Sequence, residues 1–204
     1  MRSLTAFQFF IPTILNQMGY KAVDAQVRTI PVYVVATILC LITARLTDQL
    51  RHRYLFTIVG VLLASIGYIL LLCQQHVVVG VRYFALFLIV SGGYISQPVI
   101  LAWMSNTVSG HYKRAISSAV QIGLGNIGGI VASNVFFDRE APLYWTGDGV
   151  CLGMLWLCAA ACTLLYFGVV RENKKRDRGE RNHRLEGTDV DNLGDDHPHW
   201  RLAT

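Results

Sequence analysis

Long uncharged apolar runs alternate along this chain with short charged breaks. Tyr54–Cys73, Tyr83–Gly110, Ala115–Phe137 and Gly149–Val170 contain no Asp, Glu, Lys or Arg. A hydrocarbon layer about 30 Å thick is crossed by roughly 20 apolar residues of helix. A soluble surface helix instead carries a polar face. The runs therefore predict membrane-spanning helices at 54–73, 83–104, 115–137 and 149–170. Two further apolar segments precede them. One covers 29–45, with Pro31 placed in the first turn, where a proline costs little. The other, 3–19, is interrupted by Gln8, Asn16 and Gln17 and starts almost at Met1, which reads as a shortened helix. The pattern predicts an all-α membrane protein, a six-helix bundle whose first helix is shortened.

Composition agrees with the pattern. Of 204 residues, 53% are hydrophobic and 15% charged, against about 25% charged in ordinary soluble domains. Mean hydropathy is +0.41. The net charge of +5 is not a nucleic-acid footprint, because much of the Lys and Arg lies in Arg171–Arg184, directly after the last apolar run. Such a juxtamembrane cluster faces anionic lipid. No base-reading motif accompanies it, so the expected surroundings are a lipid bilayer and not nucleic acid.

Loop charge orients the bundle. Arg45–Arg53 carries Arg45, Arg51 and Arg53 against Asp48, Ser105–Arg114 carries Lys113 and Arg114, and the tail carries the large basic cluster. These segments share one side if all six helices cross. The positive-inside rule then puts both termini in the cytoplasm. From Arg171 to Thr204 the chain is hydrophilic, basic and then acidic, and reads as a disordered cytoplasmic tail. His197-Pro198-His199 reads as part of that solvated tail. Cys40, Cys73, Cys151, Cys158 and Cys162 read as small apolar residues within helices, since a zinc site wants further ligands nearby. No metal or cofactor is expected, and Met1–Gly19 lacks the cleavage site of a secretory signal.

Gln121-Ile-Gly-Leu-Gly-Asn-Ile-Gly-Gly129 is the most distinctive local sequence. It matches a dinucleotide fingerprint on paper, but that motif needs a strand before it and a helix after it. Inside an apolar span the same Gly123, Gly125, Gly128 and Gly129 read as a small face for close helix packing. Gln121 and Asn126 are polar in that span, and an unpaired amide in lipid is costly, so each must face protein or a water-filled cavity. Five residues at 100° each separate them by about 140° around the helix. In the preceding span Ser91, Tyr94, Gln97 and Ser105 form a polar stripe. Pro98 beside Gln97 is expected to break the helix and free a carbonyl. Gln97, Tyr94, Gln121 and Asn126 are the candidate solute-binding residues. Asp, Glu, Lys, Arg and His are absent from the depths of the four clear spans. Arg28, Asp24, Arg82 and Asp148 remain at span ends, where anchoring is the commoner role.

The loop Ala44–Arg53 sets Asp48 three and five residues ahead of Arg51 and Arg53. Such a cluster can cap and lock neighbouring helix ends as a cytoplasmic gate. It resembles the signature loop of the major facilitator superfamily in its second-half copy. Other stretches resemble the anion:cation symporter branch, which includes fungal allantoate, nicotinate and vitamin permeases. They are Phe10–Ile14, Gly19-Tyr20, Ala25-Gln26 with Pro31 and Tyr33, Ala102-Trp103-x-Ser105-Asn106, Gly110–Ala115, Gln121–Gly129, Ser133-Asn134-x-Phe136 and Ala141-Pro142-x-Tyr144. Arg28 departs from the pattern, where an uncharged residue is expected.

The resemblance implies that the chain is the C-terminal half of a twelve-helix carrier and works with an N-terminal six-helix half. It implies proton- or cation-coupled transport of a small organic anion or vitamin-like solute across the plasma membrane. A second reading is a truncated, non-transporting membrane interaction or regulatory protein. A third, an integral-membrane enzyme, needs a cluster of His, Asp or Glu, whereas His52, His76 and His111 are isolated.

Overall fold

Uncharged sequence long enough to cross a bilayer has one way to satisfy its backbone without a partner, the α-helix. The computed structural model describes residues 22–50, 52–73, 78–135, 145–181, 194, 197, 198 and 200–202. The expected first span, 3–19, lies outside them. Five α-helices account for nearly all of the rest: α1 (Ala22–Leu50), α2 (Arg53–Leu72), α3 (Val79–Thr107), α4 (His111–Val135) and α5 (Trp145–Asp177). In α1 from Gln26, and in α2, α3 and α5, the helix is long and apolar enough to span a membrane.

The helices outrun the apolar stretches that announce them, because a helix continues past the hydrocarbon into water. Thus α1 starts at Ala22, not near Thr29. Pro31 consequently lies in the helix interior, and not in its first turn as the sequence pattern had it. There it removes the N–H that would serve the carbonyl of Val27. Likewise α5 runs to Asp177, past the expected bound at Val170, and takes in the start of the segment read as a disordered tail. In its last turn, Arg176 is buried and donates to the carbonyl of Trp200 at 2.8 Å. Asn173 exchanges hydrogen bonds with the Leu202 backbone at 3.0 and 3.1 Å. Arg201 pairs with Asp177 at 2.7 Å, so this part of the tail is fastened to the helix end.

Packing is organised on α3, whose most extensive contact is with α2, followed by α1. Small residues line much of the α2–α3 seam. On α2 the inward face holds Thr57, Gly60, Ala64 and Gly67, while Leu55, Val59, Leu62, Ile66 and Ile69 are exposed. A soluble helix would do the reverse. In lipid the outside is as apolar as the inside, so close backbone approach drives association instead. A Cβ built on Gly60 would meet the Gly92 carbonyl at 2.8 Å, and one on Gly92 would meet the Ala64 amide nitrogen at 2.7 Å. On Gly67 it would meet Ile89 Cγ1 at 2.6 Å. Thr57 and Ser96 satisfy their hydroxyls along this seam, on the Arg53 carbonyl at 3.0 Å and the Gly92 carbonyl at 2.9 Å.

α5 packs on the other side of α2, where Val61 and Ala64 meet Leu155 and Ala159. A larger apolar cluster gathers Val32 and Ala36 of α1, Tyr68 and Leu71 of α2, Ala85, Leu86, Ile89 and Val90 of α3, and Cys151 of α5. α4 touches α3 and α5 more sparingly.

Candidate functional site

Arg53 opens α2 with only two residues between it and the end of α1. That short link turns the chain back toward α3 and leaves the guanidinium buried, 9% exposed. Its Nη1 donates to the carbonyl of Ala102, in the last turns of α3. Ser105 Oγ donates to the same carbonyl at 3.1 Å. The hydrogen-bond network turns the amide oxygen of Asn106 inward, where it accepts from Nη1 at 2.6 Å and from Nη2. A cation at a helix C-terminus also meets the negative end of its dipole. Trp103, next to Ala102, is 2% exposed and lies edge-on to Tyr54, ring centroids 6.5 Å apart. Tyr54 in turn stacks on Tyr166 of α5 at 4.3 Å and shares a hydrogen bond with Thr163 at 3.2 Å. One end of the bundle is therefore tied across three helices by Arg53 and its aromatic neighbours.

Of the three expected gate residues, Arg53 alone is shown in this latch. Asp48 is exposed near the end of α1 and forms no ion pair among the described residues. Arg51 lies outside the described residues. Asn106 and the Ala102 carbonyl are the partners that spacing along the chain did not reveal.

The candidate solute-binding residues divide between two helices. Tyr94 and Gln97 lie on α3, both half-buried. Tyr94 meets Tyr33 of α1 edge-on at 6.3 Å. α3 is continuous through Pro98, which corrects the expected break. The missing N–H at Pro98 still leaves the Tyr94 carbonyl without its intrahelical donor. Gln121 and Asn126 lie on α4, the first half-buried and the second exposed.

The four glycines expected to make a packing face all lie on α4. The helix runs unbroken from His111 to Val135, so the fingerprint lies within one helix and opens none. A Cβ on Gly123 or Gly125 would meet no heavy atom within 4 Å. Close approach occurs instead at Gly60, Gly67 and Gly92. Gly128 and Gly129 are helical, but their surroundings fall outside the described residues. Among the described residues no group of three or more His, Cys, Asp and Glu is placed to hold a metal.

The described residues form an all-α bundle with four helices long and apolar enough to cross a membrane, small residues at the α2–α3 contact and Leu, Ile and Val exposed on the outside. Comparison with known proteins then gives the family. The chain is 34% identical over 181 residues to an uncharacterized transporter of Schizosaccharomyces pombe, covering 87% of this chain and 36% of that protein. It is 33% identical over 205 residues to the MFS-type transporter cnsO of Penicillium expansum, covering 97% and 40%. It is 29% identical over 167 residues to the high-affinity nicotinic acid transporter of Saccharomyces cerevisiae, covering 82% and 31%. The chain belongs to the major facilitator superfamily. It spans roughly a third of the length of these relatives. No family model and no solved structure matches it.

Proposed function

We propose that this chain forms the C-terminal six-helix half of a carrier for a small organic anion or vitamin-like solute, working by cation-coupled alternating access with the proton as coupling ion. The observation that carries the reading is similarity to transporters over most of the chain, one of them named for nicotinic acid. The carrier works in the plasma membrane with both termini of this chain cytoplasmic. Two bundles rock about a midplane site. Tyr94, Gln97, Gln121 and Asn126 line this half of the cavity, and the carbonyl exposed by Pro98 adds an acceptor beside Tyr94. Arg53, fastened to Ala102 and Asn106, acts together with Asp48 and Arg51 to hold the cytoplasmic face. The outward glycines of α4 face the complementary bundle.

A split reconstitution tests this. In proteoliposomes with an inward proton gradient, the 204-residue chain alone is expected to give no uptake of labelled nicotinate or a related organic acid. Addition of the complementary six-helix bundle of the Saccharomyces relative is expected to give uptake that an uncoupler abolishes. Robust uptake by the chain alone would sink the half-carrier reading. Uptake by the pair that ignores the proton gradient would sink the coupling. A stable complex with no uptake of any acid would favour the regulatory alternative.

A further inference from the structure

Asp148 stands at the end of an apolar run, where a carboxylate ordinarily points into water. It does not do so here. Asp148 sits in the first turn of α5 and is 4% exposed. Its Oδ1 is buried and has no hydrogen-bond partner among the described residues. No ion pair reaches it there either.

Among the described residues its neighbourhood is sparse in charge. From α2 comes Tyr68, 1% exposed, and from α5 itself Cys151, also 1% exposed. The carboxyl lies within electrostatic reach of both the hydroxyl and the thiol. α1 and α3 surround this pair with Val32, Ala36, Ala85, Leu86, Ile89 and Val90, with Tyr33, Tyr83 and Tyr94 at the margin. Arg28 and Arg82, toward the same end, have partners of their own, and neither pairs with Asp148.

An ionised carboxylate offers about four acceptor sites and no donor. Sealed from water without a cation or a full set of donors, such a group takes up a proton sooner than bear the loss of hydration. The helix N-terminus favours the charged form, but more weakly than dehydration disfavours it. A protonated carboxyl also gains a donor of its own, which suits a site whose other polar groups are a hydroxyl and a thiol.

We propose that Asp148, with Tyr68 and Cys151 around it, is a proton-binding site of the bundle. The bond formed is O–H on the carboxyl, and the proton comes from the aqueous phase at that end. Opening the contact between α5 and α2 hydrates the group and releases the proton; closing it restores the neutral form. Proton occupancy stands on the burial alone, whereas a role in coupling rests on the transport reading above.

Infrared spectroscopy of the 204-residue chain in lipid nanodiscs tests the site without any solute. At neutral pH the wild type is expected to show the C=O stretch of a protonated carboxylic acid, shifted in heavy water. Asp148→Asn loses that band, and Tyr68→Phe moves it. The wild-type spectrum decides whether or not a variant folds, since absence of any protonated-carboxyl band at neutral pH overturns the proposal. A band that persists unchanged in folded Asp148→Asn belongs to another acid and overturns it too. Uptake plays no part in the readout, so failure here is distinct from failure of the transport reading.

Discussion

Arg53 shows how one residue joins stretches of chain that sequence presents separately. Its charge belongs to the loop after α1, and its hydrogen-bond acceptors belong to α3, 49 residues on. Arg53→Ala leaves the Asn106 amide and the Ala102 carbonyl without their charged donor. The expected loss is about 1.5–3 kcal/mol, the range for hydrogen bonds to charged groups, read as thermal unfolding in detergent micelles. Arg53→Lys is expected to recover only part of it, because an ammonium lacks the planar fork that meets two acceptors at once. Full recovery by lysine would show that charge matters here and geometry does not. A second pair of substitutions separates glycines that look alike in sequence. Gly92→Leu forces a Cβ against Ala64 and is expected to cost about 1–3 kcal/mol or more. Gly123→Ala meets open space and is expected to be neutral or stabilising by up to about 1 kcal/mol. Equal effects at the two sites would contradict the seam.

At the scale of elements, the centres of α2, α3 and α5 are legible because membrane length and lack of charge are local properties. Their ends are less so, since nothing in hydropathy stops a helix where the hydrocarbon stops; Ala22 and Asp177 lie beyond the apolar runs for that reason. Which polar residues lie on α3 and α4 was legible, but their burial was not: Tyr94, Gln97 and Gln121 are half-buried and Asn126 is exposed. What they face was not legible, because it depends on neighbouring helices. Asp148 makes the same point more sharply, since its position at a span end announces exposure and the packing of α5 against α2 buries it. Pro98 gives an element-scale prediction. Pro98→Ala returns an N–H to the Tyr94 carbonyl, so thermal stability is expected to hold or rise. If that carbonyl serves solute, binding by the split carrier falls at the same time. A fall in stability with binding intact would remove Pro98 from the proposed site.

For the whole molecule, the proposed arrangement places the α1–α2 link, the α3–α4 link and the tail on one side of the membrane. Protease added to sealed right-side-out vesicles is expected to spare an epitope fused after Thr204 and to remove it once the vesicles are opened. Cleavage in intact vesicles would reverse the orientation. The tail has its own test, since Arg176 holds it through the carbonyls of His197 and Trp200. Arg176→Ala is expected to speed proteolysis within 197–202 in detergent, while the transmembrane core resists as before.

Hydropathy and charge alone showed that the chain carries helices long and apolar enough to cross a bilayer, and which of its links carry positive charge. Each of these follows from the cost of placing charge or bare backbone in hydrocarbon, and that cost is set residue by residue. It took the packed helices to reveal which glycines let helices touch, which loop arginine locks onto α3, and which acid is taken out of water. In lipid, large apolar side chains serve equally well outside and inside. Hydropathy therefore cannot name the inward face, and close packing between residues far apart in the chain has to choose it.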